Sequence, residues 1–449
     1  MSCACVAGED TLESTDTASS TDVTSDASTV PMPTTFDTDF TTTGVDTSDP
    51  PVTTVEPTTF DPSTTDDSSD SEDSDSDSDA TTGPSCPEGP PPSFDYIWIP
   101  NSAQGTISKI NTHTALEEAR YRTSAIPGDP SRTSINQYGD LAVSNRVPGS
   151  ITKIAGHIDR CIDKDKDGSI DTSMSKNDVL AWDEEECILW NTEIPSYTYQ
   201  AGPRPTAWEW VQEDPETCET AVPRLWSGYM DESGTAHFIR LDGESGDILD
   251  DVTYDNWPGG GFGPYGGAAN RNGDLIAIGI NKGPMVRIDA QTLQLEEFPV
   301  PDTADKYGLA LDQNGNVWTS ATNANDNMFH YDFDTEEWTA LGSGGGDWLL
   351  GVAVDFEGRV WSAGTSPCRL VQADVDDVEY KNTHIELAGC GQPWGISVDN
   401  EGYIWVVDRD SIAFKVDPDT HVVVATVTGL SEPFSYSDMT GLALQLVIE

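Results

Sequence analysis

Basic residues are scarce in this chain, and long apolar runs are missing. The 449 residues contain 22 Lys and Arg against 79 Asp and Glu, a formal net charge of −57. Nucleic acids and anionic membrane surfaces bind clustered Lys and Arg, so this charge argues against both kinds of partner. No stretch approaches the roughly 18 apolar residues of a transmembrane helix. Zinc and serine-hydrolase sites are also disfavoured, because Cys-x-x-Cys, ligand-spaced His and Gly-x-Ser-x-Gly are absent.

The first 95 residues have the most uneven charge composition in the chain. They contain 22 Asp or Glu, no Lys or Arg, and Ser-, Thr- and Pro-rich tracts with scarcely an aliphatic run. Such a segment cannot bury enough apolar surface to offset the entropy of ordering. We therefore interpret residues 1–92 as a disordered tether and 93–449 as the folded domain. The amino terminus lacks a hydrophobic signal region, yet Cys3 ahead of an acidic spacer is similar to the mature end of a bacterial lipoprotein. That similarity makes Cys3 the expected lipidation site and the only expected membrane contact; the alternative is that this cysteine is accidental.

A repeat with a period in the low forties occupies the carboxyl-terminal part. Copies starting at Tyr307, Leu350 and Trp394 read Gly-Leu-Ala-Leu-Asp, Gly-Val-Ala-Val-Asp and Gly-Ile-Ser-Val-Asp, each followed by a Gly-containing turn and a Val-Trp or Ile-Trp pair. The alternation has period two, and Asp/Asn-Gly turns suit positive φ angles. Four short strands in such a period are typical of a β-propeller blade.

Six blades can be counted, and a seventh is predicted to be shared between the ends. Weaker copies lie at 265–289, 205–230 and 130–144. Residues 440–444 copy a first strand, and residues 96–99 copy a second strand. Closing the ring with both removes exposed strand edges that would invite aggregation. The sequence thus predicts an all-β, seven-bladed propeller, with six or eight blades as alternatives. The tryptophans inside the strands are expected to be core residues: Trp98, Trp226, Trp318, Trp361 and Trp405.

Propeller topology narrows the pairing of six cysteines, which sequence alone leaves with 15 arrangements. Turns joining strands one to two and three to four lie on one face. Turns joining strands two to three, and the links between blades, lie on the opposite face. Two cysteines map to the link face, and two others bracket an insertion at 158–190. Disulfides favour an exported protein, either an outer-surface or periplasmic lipoprotein or a secreted one. The predicted pairs are Cys161 with Cys187, Cys368 with Cys390, and Cys86 with Cys218.

The insertion contains a calcium-loop motif. Four aspartates occupy positions 1, 3, 5 and 9, with Gly168 at position 6, so alternate carboxylates can converge on one hard cation. Met174 stands where an EF-hand has its bidentate Glu. Asp178 or the acidic run 183–186 is therefore expected to complete the shell. We predict a structural Ca²⁺ here, the alternative being an acidic loop that binds nothing tightly. The predicted ligands are Asp163, Asp165, Asp167, Ser169 and Asp171.

A ligand is expected over the central channel, on the face of the inter-blade links. Aromatic and polar side chains around a concave mouth suit a sugar, a peptide or a flat organic molecule. The alternative is that these side chains serve ordinary packing. The candidates are Arg132, Arg204, Tyr265, Tyr307, Asp347, Trp348, Trp394 and Tyr436.

The repeat at 307–320, with its partners at 350–364 and 393–408, resembles the blades of the streptogramin B (virginiamycin B) lyase family and related NHL-repeat propellers. The resemblance spans most of 95–446 and implies a seven-bladed propeller. In that family a metal-assisted elimination opens a cyclic depsipeptide. Its blades read Trp-Phe-Thr-Glu after the turn, with catalytic His and Glu at the channel mouth. Here Thr-Ser-Ala, Ser-Ala-Gly or Val-Val-Asp follows the Trp, so no catalytic residue carries over.

Two functional hypotheses are compatible with the sequence. The preferred one is a non-catalytic display module, expected to be a monomer, that binds a peptide, a glycan or a surface protein. The second is a metal-dependent lyase or lactonase of the streptogramin-lyase-like class. That enzyme would need polar side chains to converge at the axis, namely Asp129, Asn136, Asn270, Asp347 and Asp438.

Overall fold

The computed structural model describes residues 94–447 other than 196–197, 213, 215–216, 218–219, 323–324 and 326. Their strands form seven antiparallel sheets, six with four strands and one with three, and neighbouring strands follow each other in chain order. This is the predicted seven-bladed propeller. The predicted tether and Cys3 lie outside the described residues.

Each sheet is one blade, numbered in chain order. Blade 1 contains β1 (Tyr96–Asn101), β2 (Thr106–Asn111) and β3 (Glu117–Arg122); blade 2 contains β4 (Pro130–Ile135), β5 (Leu141–Asn145), β6 (Ser150–Ile154) and β7 (Ile188–Glu193). Blade 3 contains β8 (Thr206–Trp208), β9 (Arg224–Met230), β10 (Ala236–Asp242) and β11 (Ile248–Tyr254); blade 4 contains β12 (Pro264–Ala269), β13 (Leu275–Gly279), β14 (Met285–Ile288) and β15 (Leu295–Phe298). Blade 5 contains β16 (Lys306–Leu311), β17 (Val317–Ala321), β18 (Met328–Asp332) and β19 (Glu337–Ala340). Blade 6 contains β20 (Leu349–Val354), β21 (Arg359–Thr365), β22 (Cys368–Asp374) and β23 (Glu379–Ile385); blade 7 contains β24 (Pro393–Val398), β25 (Ile404–Asp408), β26 (Ile412–Val416) and β27 (Val423–Thr428).

Blades 5, 6 and 7 share a first turn that is closed by an aspartate at the end of the first strand. In blade 5, Asp312 accepts hydrogen bonds from the backbone N–H groups of Asn314 and Asn316 and from the indole Nε1 of Trp318, at 2.9, 3.0 and 3.1 Å. Blades 6 and 7 repeat the Asp–Trp contact at 2.9 Å. The carboxylate therefore closes the turn and fixes the tryptophan orientation together. All five tryptophans predicted as core are at most 1% exposed, which confirms that prediction.

Both ends of the folded domain close the ring, as predicted. The backbone N–H of Trp98 donates to the carbonyl of Met439 at 2.9 Å, and that of Phe434 donates to the carbonyl of Pro100 at 3.3 Å. Asn101 forms an isolated bridge with Pro433. Residues 433–439 thus occupy the first-strand place of blade 1, beside β1.

The residues predicted to form that strand do something else. Instead of a strand at 440–444, the structure has a short helix, α1 (Leu442–Leu446). Asp438 Oδ1 accepts the backbone N–H groups of Thr440 and Gly441, and Gly441 adopts a φ of +91°, so the chain turns into the channel. First strands surround α1, its three leucines are buried, and an axial cavity of about 60 Å³ remains.

The two insertions lie where the repeat places them. Residues 158–187 lie between β6 and β7, and the first turn of blade 3 is expanded between β8 and β9. Both connections belong to the face opposite the inter-blade links. Among the described residues, no helix has the length and apolar character needed to span a membrane.

We predict that Asp312→Ala destabilises the propeller by roughly 3 kcal/mol, because the buried indole N–H of Trp318 loses its acceptor and the turn loses two further hydrogen bonds. Equilibrium urea unfolding measures this. Asp334→Ala is the matched control, since Asp334 is exposed in the β18–β19 turn, and we expect its free energy of unfolding to match the wild type. Equal stability of the two variants would show that the Asp–Trp pair does not hold the blade.

Candidate functional site

A cavity of about 530 Å³ opens at the channel mouth on the link face. Its walls come from links and strand-two-to-three turns of several blades, so no single blade contains the site. Of the predicted ligand residues, Tyr265, Tyr307 and Trp394 line it directly. The remaining lining residues are Ser102, Ala103, Asp129, Arg146, Tyr199, Phe262, Arg409, Glu432 and Phe434.

An aromatic cluster forms the floor of this cavity. The rings of Tyr265 and Tyr307 lie 5.3 Å apart, and Tyr436 lies 5.5 and 4.7 Å from them. Tyr307 Oη accepts hydrogen bonds from Tyr265 Oη at 3.2 Å and from Trp394 Nε1 at 2.8 Å. Burial raises the pKa of Tyr307 well above its usual value, so its hydroxyl keeps a proton that it can donate.

Two buried arginines stand behind that floor. Arg132 Cζ lies 2.9 Å from the ring centroid of Tyr436, and Arg132 Nη2 donates to the Tyr265 carbonyl at 2.9 Å. Arg204 donates to the carbonyls of Tyr199, Gln200 and Gly202 at 2.7, 2.8 and 3.2 Å. Burial lowers the pKa of Arg132 to about 10, with the neighbouring Arg204 charge contributing in the same direction. The Arg132 guanidinium therefore remains charged at neutral pH.

The strand register explains why Arg132 reaches the mouth. After a bulge at Pro264 or Pro393, Gly266 pairs with Ile278 and Gly395 pairs with Val407; after the equivalent bulge at Pro130, Arg132 pairs with Ser144. Arg132 thus stands where blades 4 and 7 have a glycine.

Not every predicted ligand residue belongs to the cavity. Asp347 and Trp348 lie in the β19–β20 link, where Asp347 N donates to the Ser366 carbonyl and Trp348 is exposed. Neither lines the mouth cavity. Arg146, Arg409 and Phe434 also line the cavity, although they were not predicted from the sequence. Their positions follow from the topological rule, because all three lie in link-face connections, but only the folded ring shows which of them meet.

The five side chains required by the enzyme hypothesis do not converge. Asn136 and Asn270 close turns on the opposite face, each accepting backbone N–H groups of its own turn. Asp129 is paired with Arg146 at the mouth, and Asp438 lies in the axial cavity. Within the described ranges, three or more metal-ligating side chains gather only in the 163–186 insertion and beside the Cys368–Cys390 disulfide. The mouth therefore does not fit the metal site that the lyase resemblance implies.

In the insertion, Glu186 joins the predicted calcium ligands. Carboxylate oxygens of Asp163, Asp165 and Glu186 lie within 4.8 Å of one another, as do those of Asp165, Asp167 and Asp171. Partial desolvation, and then the charges of Asp167 and Asp165, raise the pKa of Asp171. Asp178 is not part of either group.

Ser169, the remaining predicted ligand, donates from its hydroxyl to Asp167 Oδ1 at 2.7 Å. Two of the predicted disulfides are present, with Cα–Cα separations of 4.3 Å for Cys161–Cys187 and 6.1 Å for Cys368–Cys390. Cys86 and Cys218 lie outside the described residues.

No protein-family model matches the sequence, and a search of curated proteins gave no match either. Among solved structures, a streptogramin B lyase matches with a TM-score of 0.50 and 14% identity, over 70% of this chain and 87% of the other. A virginiamycin B lyase from Staphylococcus aureus matches with a TM-score of 0.47 and 13% identity, over 69% of this chain and 87% of the other. At such identity the likeness shows the propeller fold alone.

The hydroxyl groups of Tyr307 and Tyr436 provide a prediction and its control. Tyr307→Phe leaves the buried Tyr265 hydroxyl and the half-buried Trp394 indole N–H without an acceptor, so we expect a loss of roughly 2 kcal/mol of stability. Tyr436→Phe is the control, because the buried Tyr436 hydroxyl has no hydrogen-bond partner among the described residues; its loss should cost less than about 0.5 kcal/mol. Urea unfolding compares the two, and equal costs would contradict this hydrogen-bond assignment.

Proposed function

We propose that this chain is an exported, surface-tethered, non-catalytic binding module that takes a peptide, glycan or protein ligand at the channel mouth. The observation that carries this proposal is the cavity of about 530 Å³ walled by Tyr265, Tyr307, Trp394 and Phe434. Concave sites lined by aromatic rings, with a few polar groups, are the usual form of ligand sites in proteins. The helix α1 fills the axis below, so a ligand rests on the mouth and does not thread the channel.

The binding role is favoured over the lyase or lactonase role by what the mouth contains. Its described carboxylates are Asp129, which is held by Arg146, and the exposed Glu432. His, the commonest general acid or base, does not occur among the lining residues. Release of altered product from a bound ligand would favour the enzyme instead.

Export and tethering rest on separate observations. Two disulfides fit an oxidising compartment. The proposed tether and the lipid anchor at Cys3 rest on the sequence, in which acidic and Ser-, Thr- and Pro-rich tracts follow this cysteine. Mass spectrometry of the mature protein tests this through an acylated cysteine at the amino terminus.

We also propose that the 163–171 loop, completed by Glu186, binds a structural Ca²⁺. The support is the spacing of its aspartates together with the convergence of their oxygens, since hard cations take six to eight oxygen ligands. Neutralising the cluster would hold the insertion in one conformation. The loop belongs to the face opposite the mouth, so this role is separate from ligand binding.

For the mouth, we predict that Trp394→Ala weakens ligand binding by roughly 2 kcal/mol, about 30-fold, because central aromatic residues dominate binding energy. A glycan array and a peptide array, probed with the purified propeller, identify the ligand, and titration calorimetry measures the change. Trp348→Ala is the matched control, since Trp348 is exposed outside the cavity. Equal losses from both substitutions, or none from Trp394→Ala, would contradict a mouth site.

For the loop, we predict that Ca²⁺ at about 100 times its dissociation constant stabilises the wild type by about 2.7 kcal/mol relative to EDTA. Asp165→Asn should remove this gain, because Asp165 belongs to both carboxylate groups. Asp183→Asn, an exposed change nearby, should retain it. Thermal unfolding with and without Ca²⁺ measures both, and an unchanged wild-type midpoint would show that the loop binds no cation.

A further inference from the structure

The mouth of this acidic protein is basic. Four arginines gather there, Arg146 and Arg409 in the cavity wall and Arg132 and Arg204 behind the floor, against the carboxylates of Asp129 and Glu432. The whole chain carries a formal charge of −57. A local excess of positive charge in such a chain is a property of this site and does not follow from composition.

Three of the four arginines have no carboxylate partner. Arg146 pairs with Asp129. Among the described residues, no Asp or Glu oxygen lies within 4.0 Å of the guanidinium nitrogens of Arg132, Arg204 or Arg409. Arg132 and Arg204 are at most 1% exposed, and the Nε of Arg204 has no hydrogen-bond partner. A buried cation without a counter-charge is costly, because desolvation is not repaid by a nearby anion.

Aromatic faces compensate these cations in part and also shape what can bind. Arg409 Cζ lies 4.8 Å from the Trp394 ring centroid and 5.5 Å from that of Phe434, at the cavity rim. Arg409 makes no side-chain hydrogen bond among the described residues, so its donors are available to a ligand. The Tyr307 hydroxyl on the floor accepts two hydrogen bonds and has its own proton to give.

We propose that the ligand held at this mouth is an organic anion: a carboxylate attached to an aromatic or flat apolar group. The carboxylate takes the N–H groups of Arg409 and the O–H of Tyr307, in the field of the two buried arginines. The flat group lies against Trp394 and Phe434. Charge-assisted hydrogen bonds are the stronger ones, and a guanidinium fork matches a carboxylate in shape. This inference rests on the proposed function, because it names the ligand class of the same site.

The test uses the full chain and three probes, N-acetylphenylalanine, its carboxamide, and N-acetylalanine, titrated by calorimetry. The acid should bind at least about tenfold tighter than the carboxamide, because charged hydrogen bonds exceed neutral ones by this much. N-acetylalanine, which lacks the ring, should also bind more weakly. Raising the salt concentration should weaken the acid alone, since Arg409 is partly exposed to solvent.

Variants separate this inference from the proposed function. Arg409→Gln should lower affinity for the acid about tenfold and leave the carboxamide unchanged; Arg271→Gln, an exposed change in the β12–β13 turn, should alter neither. Binding of the acid is also measured for Arg132→Met, whose fold is checked by circular dichroism. Equal binding of acid and carboxamide, both lost in Trp394→Ala, would overturn the anion inference and leave the binding site standing. Binding of neither probe would overturn the inference, and an array ligand lost in Trp394→Ala would still uphold the mouth site.

Discussion

The contact between β1 and residues 433–439 is the constraint on which the molecule depends. Every other first strand is followed directly along the chain by the second strand of its own blade, whereas blade 1 receives its first strand from the far end of the chain. Without it, β1 would present an open edge, and open edges promote aggregation. The same closure places Phe434 and Tyr436 beside Tyr265 and Tyr307, so the ring and the mouth are completed by one segment.

The helix α1 is a consequence of that closure. Once residues 433–439 are held against β1, the chain has no further blade to enter, and Asp438 turns it inward. Leu442, Leu444 and Leu446 pack against cores formed by different pairs of blades. Burial of these three leucines stabilises this short helix, whereas Ala443 is exposed and Gln445 is half-buried. The helix thus occupies the channel, beneath the cavity at the link-face mouth.

Sequence periodicity was sufficient to predict the blades but not the structure of residues 440–446. Asp-x-x-Gly turns and buried tryptophans are local signals, so blades 5, 6 and 7 could be assigned strand by strand. Residues 440–444 carry the same local pattern, Gly-Leu-Ala-Leu, yet they form a helix because position in the ring overrides it. The residues of the candidate site likewise divide into those that the repeat predicts and those that it does not. Tyr265, Tyr307 and Trp394 follow from the repeat, whereas Arg409, directly after β25, joins the site through a contact with Trp394 of the neighbouring strand β24 that the repeat does not indicate.

The distribution of charge connects these features. Blades 5 to 7 bury an aspartate in the first turn and satisfy it with the indole of a tryptophan, and blades 6 and 7 add Arg359 or Lys415. Acidic groups inside the blades are thus matched by partners of the same blade, on the face away from the mouth. Arg132, in the first strand of blade 2, and Arg204, just before the first strand of blade 3, have no such partner among the described residues, and tyrosine rings lie beside both. Arg132 and Arg204 thus place two buried positive charges beside aromatic rings at the channel mouth, and charge complementarity there favours an anionic ligand.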